Sequence, residues 1–397
     1  AVADALWSEL KKNGAKDWSE DDFIKYCYYR LRNLVMNRDT YLSDKTAAYL
    51  LATLLDNRDI KSEIIISVSN KIGQMKDVLF DDEIRYVIRV KDKLYYNITD
   101  HSNPGDLSES LVGCESYIIS EPDKKGNQEI KPFTLPNTVS NDNASVYDFT
   151  VSIDKEMTNL VVSRTTRFTG ISKTRNIEEA LRYTTYMLDD YKNYNGNPPT
   201  EKMNERQEEE YLKTVKALKD NFKEMKPEYV KNQLEKEFGR KVNSKGFTIA
   251  SGGRTLKNQD LTFTEEFEIG GFIRKAGKKY LVNLIGLVGG QLQIKKDERN
   301  RKHDISMGYP RMIAWNIKMK IPEGYTAEGM SDMAMNVDNS SGSYSCAAEQ
   351  VGNEIVLTIK KVYKQNFLPK DKWTEVLAFV DAAYNHLHKY ILLKPKA

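Results

Sequence analysis

Cysteine and histidine are scarce in this chain, and their scarcity removes whole classes of chemistry. Three cysteines in 397 residues, Cys27, Cys114 and Cys346, stand far apart, odd in number and without a Cys-x-x-Cys pair. That pattern excludes a disulfide framework and a cysteine-ligated zinc site. The four histidines are His101, His303, His386 and His388. The last two are two residues apart, which puts them on different faces of a helix. No metal and no cofactor is expected. An excess of one charge is also missing: 60 basic residues face 57 acidic ones, a net of +3. Tracking a phosphate backbone needs a one-signed field, so nucleic acid is not an expected partner. No run reaches the roughly 18 uncharged apolar residues of a transmembrane helix. The first residues, Ala-Val-Ala-Asp-Ala-Leu-Trp, lack a basic region followed by an apolar stretch, so no signal peptide is visible. A removed leader and a piece of a longer chain both account for that start.

What is present is enough material for more than one core. A chain of this length exceeds one compact core, and two to three domains are expected. Trp18-Ser19-Glu20-Asp21-Asp22 reads as a helix start with Ser19 as N-cap, followed by Phe23, Cys27, Leu31 and Leu34 at helical spacing. Ser43-Asp44-Lys45 opens a second helix, Thr46 to Leu55, apolar on most faces and therefore expected at a domain's centre. Strands are expected at Ile64 to Val68, Arg85 to Val90 and Lys93 to Thr99, the last two joined as a hairpin by Lys91-Asp92. Their imperfect alternation fits strands buried on both faces.

From Glu121 to Ala144 the composition shifts to Pro, Asn, Lys and Gly, which reads as a linker with short strands. Val146 to Ile153 and Asn159 to Phe168 alternate as strands. Ile177 to Tyr194 reads as one helix, and Glu201 to Phe238 as one or two highly charged helices, interrupted at Pro227. Further strands are expected at Phe263 to Ile269, Lys279 to Gly286, Ala314 to Ile321, Ser343 to Val351 and Glu354 to Val362. A closing helix, Pro369 to His388, precedes a short strand, Tyr390 to Leu393.

The order in the first region is helix, buried helix with its start at a strand edge, then a hairpin returning beside that start. Leu42-Ser43-Asp44-Lys45-Thr46-Ala47-Ala48-Tyr49-Leu50-Leu51 resembles the helix after the nucleophile in bacterial transglutaminase-like proteins, whose pattern is Cys-Lys-Asp-Lys-Ala and a Leu/Ala-rich run. Arg85-Tyr86-Val87-Ile88 and, after the hairpin, Tyr95-Tyr96-Asn97-Ile98-Thr99-Asp100 resemble that superfamily's second signature, Asn-His-Val-Ile followed by Tyr-Tyr-Leu-Asp-Pro-Thr. Phe133 to Thr138, Ile321 to Tyr325 and Tyr390 to Lys394 resemble the β-rich modules that follow the core in envelope-associated members, although the usual N-terminal β module is absent.

The resemblance implies an α+β fold: a papain/transglutaminase-like domain at 1–125, then a β-sandwich-type region at 126–397 with a helical insertion at about 176–240. Carried over residue by residue, it places Leu42 where the nucleophilic cysteine belongs, Tyr86 at the base histidine and Asn97 at the orienting aspartate. Leucine has no lone pair, and a phenol with a pKa of about 10 is a poor base at neutral pH. Loss of one triad member costs about 10⁴-fold, and here all three are replaced. Shifting the alignment by one residue puts Ser43 in the nucleophile's place, but its partners would be Arg85 or Tyr86, neither a competent base; as an N-cap it has a simpler role.

The expected function is therefore non-catalytic binding or scaffolding at the cell envelope, outside the cytoplasm. A peptide or glycan would lie in the vestigial cleft, the expected partners being a peptide, a protein or a cell-wall glycan; a purely structural or assembly role for the β modules is the second binding reading. The alternative is a residual cysteine-protease-like hydrolase or acyltransferase with a relocated nucleophile. Of the remaining candidates, Cys27 shares an apolar stripe and reads as a buried structural thiol, as do Cys114 and Cys346. Asp81-Asp82-Glu83 reads as a solvated loop rather than a cation site. Asp100 and His101 read as a turn cap beside an exposed ring. Gly252-Gly253 and Gly289-Gly290 lack the context of phosphate loops and read as turns.

Overall fold

The computed structural model describes residues 2–36, 43–96, 98, 102–120, 129–194 and 197–396. The chain is a mixed α+β protein that divides into two compact units, one made of Ala1–Thr138, Thr174–Phe222 and Gly253–Gln259, the other of Val139–Lys173, Lys223–Gly252 and Asp260–Ala397.

The first unit opens with helices α1 (Val2–Lys12), α2 (Glu20–Met36) and α3 (Asp44–Asp56). The side chain of Ser19 accepts the N–H of Asp22 at 3.1 Å, and that of Ser43 accepts the N–H of Thr46 at 3.2 Å, so both expected N-caps are in place. Next comes a sheet of β1 (Glu63–Val68), β2 (Ile84–Val90), β3 (Lys93–Tyr95), β4 (Glu115–Ile119) and β5 (Ile130–Thr134), antiparallel in the order β3-β2-β1-β4-β5. Leu51 and Leu54 of α3, Phe23, Cys27 and Leu31 of α2, and Leu6 and Leu10 of α1 form one core with Ile88, Val90 and Tyr95 on one face of the sheet. Ile65, Val87, Leu94, Leu111, Cys114 and Leu135 form a second core on the opposite face. Cover on both faces is why these strands alternate poorly. The hairpin strand expected to reach Thr99 ends at Tyr95; Tyr96 leaves the ladder.

Two stretches remote in sequence join this unit. The helix expected from Ile177 to Tyr194 is two helices, α4 (Gly170–Ala180) and α5 (Tyr183–Asn193), because Arg182 between them is extended (φ −120°, ψ 142°). Both terminal nitrogens of Arg254 reach the carboxylate of Asp190 on α5, at 2.9 and 2.5 Å. Arg32 Nη1 donates to the carbonyls of Ser102 and Arg254, each at 3.0 Å. The Asn103 amide donates to Gly253 O at 2.9 Å, and the Tyr29 hydroxyl accepts the N–H of Leu256 at 3.1 Å. Tyr29 and Tyr194 stack at 4.1 Å. The stretch 176–240, expected as an insertion in the second region, is thus shared: 174–222 belongs to the first unit and the residues from Lys223 to the second. Helix α6 (Glu205–Phe238) contains Pro227 without the expected interruption. A mid-helix proline costs about 3 kcal/mol; burial of Val230 and Leu234 one and two turns later offsets it.

The second unit is built on an eight-stranded sheet. Its strands are β6 (Ala144–Ile153), β7 (Asn159–Phe168), β8 (Val242–Gly252), β9 (Leu261–Gly270), β13 (Arg311–Lys320), β15 (Met335–Asp338), β16 (Gly342–Val351) and β17 (Glu354–Tyr363), with β10 (Ile273–Ala276), β11 (Lys279–Val282), β12 (Ile305–Ser306), β14 (Tyr325–Glu328), β18 (Phe367–Leu368) and β19 (Ile391–Pro395) in smaller sheets. The large sheet runs β15-β16-β17-β13-β6-β7-β9-β8, and its β13–β6 pair alone is parallel. A four-stranded sheet, β10-β11-β19-β14, contributes Val282, Ile391 and Leu393 to the core that holds Phe149, Leu160, Ile317 and Leu357 of the large sheet and Phe379 of α7 (Trp373–His386). The strand expected to reach Gly286 stops at Val282, because Ile285–Val288 turns into a 3-10 helix that buries Ile285, Leu287 and Val288. No helix among the described residues is long and apolar enough to cross a membrane.

Candidate functional site

The start of α3 is where the sequence directs attention, and in the first unit it lies against β2. After Ser43 caps the helix, the next side chain turns to the sheet: one carboxylate oxygen of Asp44 accepts the backbone N–H of Tyr86 at 3.1 Å. The Lys45 ammonium lies 5.4 Å from the centre of the Tyr86 ring, and the ring of Tyr49, one turn along, lies 6.3 Å from it. Cation–π attraction and ring contact hold Tyr86 half-buried beside the helix start.

Tyr86 is one end of a row. Strand pairing sets Ile66 opposite Tyr86 on one side and opposite Tyr117 on the other, with Pro132 beyond Tyr117. Residues in register share a face, so Tyr86, Ile66, Tyr117 and Pro132 cross the sheet in a line on the α3 side. Two strand spacings separate the tyrosines by about 9.5 Å. All four are at least partly exposed. The Tyr117 hydroxyl donates to Glu115 at 2.8 Å, which raises its pKa. Beside the row, Tyr49 and Ala52 of α3 face Ile64, Ile119 and Lys131 across a 200 Å³ depression. A 670 Å³ groove shares Ala52, Ser62 and Glu63 with it and continues to Asp56, Asp59 and Lys61. The two adjoin at those shared residues as a trough along the flank of α3; Tyr49 is part of its lining, whereas Tyr86, Ile66 and Tyr117 lie beside it.

Of the three triad positions taken from the resemblance, Tyr86 is the one the structure describes; Leu42 and Asn97 lie outside the described residues, as do Asp100 and His101. The hydroxyl of Ser43 is occupied by the cap and sits 3.0 Å from the Thr46 hydroxyl. His303, His386 and His388 belong to the second unit. Within the first unit, the described residues include no histidine to partner Ser43 or Tyr86.

All three cysteines are buried. Burial raises the thiol pKa of Cys27 and Cys114, and pushes that of Cys346 up to about 12. Thiolate chemistry needs the opposite environment, exposed and electropositive. Glu83, from the acidic run, spends one carboxylate oxygen on the N–H groups of Leu79 and Phe80. No group of three or more His, Cys, Asp or Glu among the described residues is arranged to hold a metal ion.

The mooring of Asp44 to Tyr86 and the clamp around Asp190 went unread in the sequence. Asp44 carried a signal, being acidic in a first helical turn, but that signal points to the helix dipole and not to a strand 42 residues away.

Among family models, one described as a domain of unknown function with a solved structure, DUF3858, matches residues 280–393, which run from β11 to β19 in the second unit. A crystal structure described as a "putative protease" from Parabacteroides distasonis is similar over 91% of this chain and 45% of that one, with 10% identity and a TM-score of 0.39. This chain spans less than half of that protein's length. No curated protein matches the chain.

Proposed function

We propose that the first unit is a transglutaminase-like scaffold without its catalytic triad, and that it binds an extended chain, peptide or glycan, along the trough beside α3. The observation that carries this reading is the line Tyr86–Ile66–Tyr117, partly exposed beside Tyr49; by the resemblance, Tyr86 takes the position of the base histidine. Partly exposed tyrosines offer large flat apolar faces with polar tips, which suits stacking on sugar rings or prolyl and aliphatic side chains. The buried thiols and the capped Ser43 leave the described part of the cleft without an activated nucleophile, which supports binding over turnover. A position at the cell envelope belongs to the same proposal and rests on the resemblance alone.

The test is direct titration of the whole chain with a fluorescent octapeptide pool and, separately, with a soluble peptidoglycan digest. Tyr86→Ala and Tyr117→Ala should each weaken binding about five-fold or more, the loss expected when an aromatic anchor is truncated. Peptide-amide hydrolysis that disappears in Ser43→Ala or Cys27→Ala would instead favour an enzyme with a relocated nucleophile.

A further inference from the structure

The two most exposed large apolar side chains among the described residues are neighbours, Leu79 at 81% and Phe80 at 66%. They form the tip of the connection from β1 to β2, in the first unit. The tip is braced. The N–H groups of both residues donate to a single carboxylate oxygen of Glu83, at 2.7 and 3.1 Å. Short 3-10 turns at Met75–Asp77 and Asp81–Glu83 flank it, and Asp77 accepts the N–H of Gln74 at 2.9 Å. The pinned backbone presents both side chains to solvent, where each loses the favourable transfer that burial would bring. The charges around them are predominantly acidic: Asp77, Asp81 and Asp82 are exposed, against Lys76 and the half-buried Arg85, whose guanidinium donates to the Asp82 carbonyl at 2.6 Å.

We infer that Leu79 and Phe80 are the anchor of a docking surface for another protein, one that offers an apolar pocket rimmed by lysine or arginine. The charge around the tip selects this occupant. Two copies of the chain meeting tip to tip would bring the three aspartates of each together, and like charges facing one another oppose association. A bilayer is disfavoured for a related reason: apolar loops that enter membranes are flanked by basic residues that meet anionic lipid, and this one is flanked by acid. A basic rim would pair with the aspartates and speed encounter, while the apolar pair supplies the buried centre. This inference is independent of the tyrosine trough.

A phage-displayed random-peptide library, selected on the intact chain, provides the probe. Selected peptides should combine aromatic or aliphatic residues with Lys or Arg. Their synthetic versions should bind Leu79→Asp and Phe80→Asp chains about ten-fold more weakly or worse. Affinity should also fall as salt rises. Both positions are exposed, so circular dichroism and melting should match the unsubstituted chain. The idea fails if the peptides bind the variants equally or are acidic. It fails equally if the substitutions abolish a concentration-dependent dimer in sedimentation, or adsorption to phosphatidylglycerol vesicles, because the occupant is then a second copy or a membrane.

Discussion

Asp190 and Arg254 form a two-pronged ion pair across 64 residues, with both terminal guanidinium nitrogens on the carboxylate at 2.9 and 2.5 Å and both side chains almost wholly buried. Arg32, fully buried, brings a second guanidinium to 3.9 Å from the same carboxylate and lies 4.5 Å from the centre of the Tyr29 ring. A pair of this kind is weak evidence of net stabilisation, since desolvation opposes the attraction, but breaking it from one side strands a buried charge. Asp190→Asn keeps the shape and removes the charge. It should cost the first unit about 3–5 kcal/mol. Hydrogen exchange of α2 and α5 amides under native conditions measures this. Exchange unchanged from the parent chain would show that the clamp does not hold α5 to the first unit.

The three thiols supply a second expectation. Burial raises all three pKa values above the ordinary thiol value of about 8.5. Burial also raises the phenols of Tyr95 and Tyr186, each to about 12. A folded-state pKa raised above its unfolded value means the native state holds the proton more tightly. Stability is then intact below the unfolded pKa and declines as pH rises through it towards the folded value. Each such group removes about 1.4 kcal/mol per pH unit in that window. The chain should keep its native spectrum at pH 8 with no thiol reacting promptly with Ellman's reagent, and should unfold cooperatively between about pH 9 and 12. Prompt labelling at pH 8 would mean that a thiol is accessible after all.

His386 gives the opposite sign, in the second unit. Its Nδ1 lies 2.8 Å from the Tyr344 hydroxyl, the ring is fully buried, and burial lowers its pKa. A depressed folded-state pKa contributes stability that is present above the ordinary histidine value of about 6.5 and is lost as pH falls below it. The melting temperature of the second unit should therefore drop on acidification from pH 7 to 5, and His386→Gln, which cannot take up the proton, should flatten that drop while lowering the starting value. A second-unit melting temperature independent of pH across this range would mean that His386 protonates without penalty.

Much of the secondary structure was legible because local signals agreed with tertiary demand. Ser19 and Ser43 both cap helices, and the hairpin at Lys91-Asp92 sits where the spacing put it. Signals failed where a distant partner outvoted them. Pro227 would end an isolated helix, yet α6 runs through it with Val230 and Leu234 held in the second unit's core. Ile177 to Tyr194 has one helical periodicity, but Arg182 is extended and breaks it in two. The membership of 174–222 in the first unit depends on ion pairs and ring stacks between residues far apart in sequence, which no local pattern encodes. At the candidate site, the helix start beside β2 was readable from element order. The row of tyrosines was not, because β4 joins β1 only after a long excursion, and which residues then face each other is set by register.

Ser43 offers a last and decisive contrast, because two roles predict different responses at one atom. As an N-cap its oxygen accepts the N–H of Thr46 and does nothing to a substrate. Ser43→Ala should then lower the first unit's stability by about 1 kcal/mol and leave ligand binding unchanged. Ser43→Asp should restore the stability, since an aspartate caps as well as a serine and its charge favours the helix N-terminus. Tyr86→Ala should show the reverse pattern, weaker binding with a smaller effect on stability, because its ring is only half-buried. If Ser43→Asp recovered the fold but eliminated a measurable amide hydrolysis, the hydroxyl would be a nucleophile, and the reading of this cleft as a binding groove would be wrong.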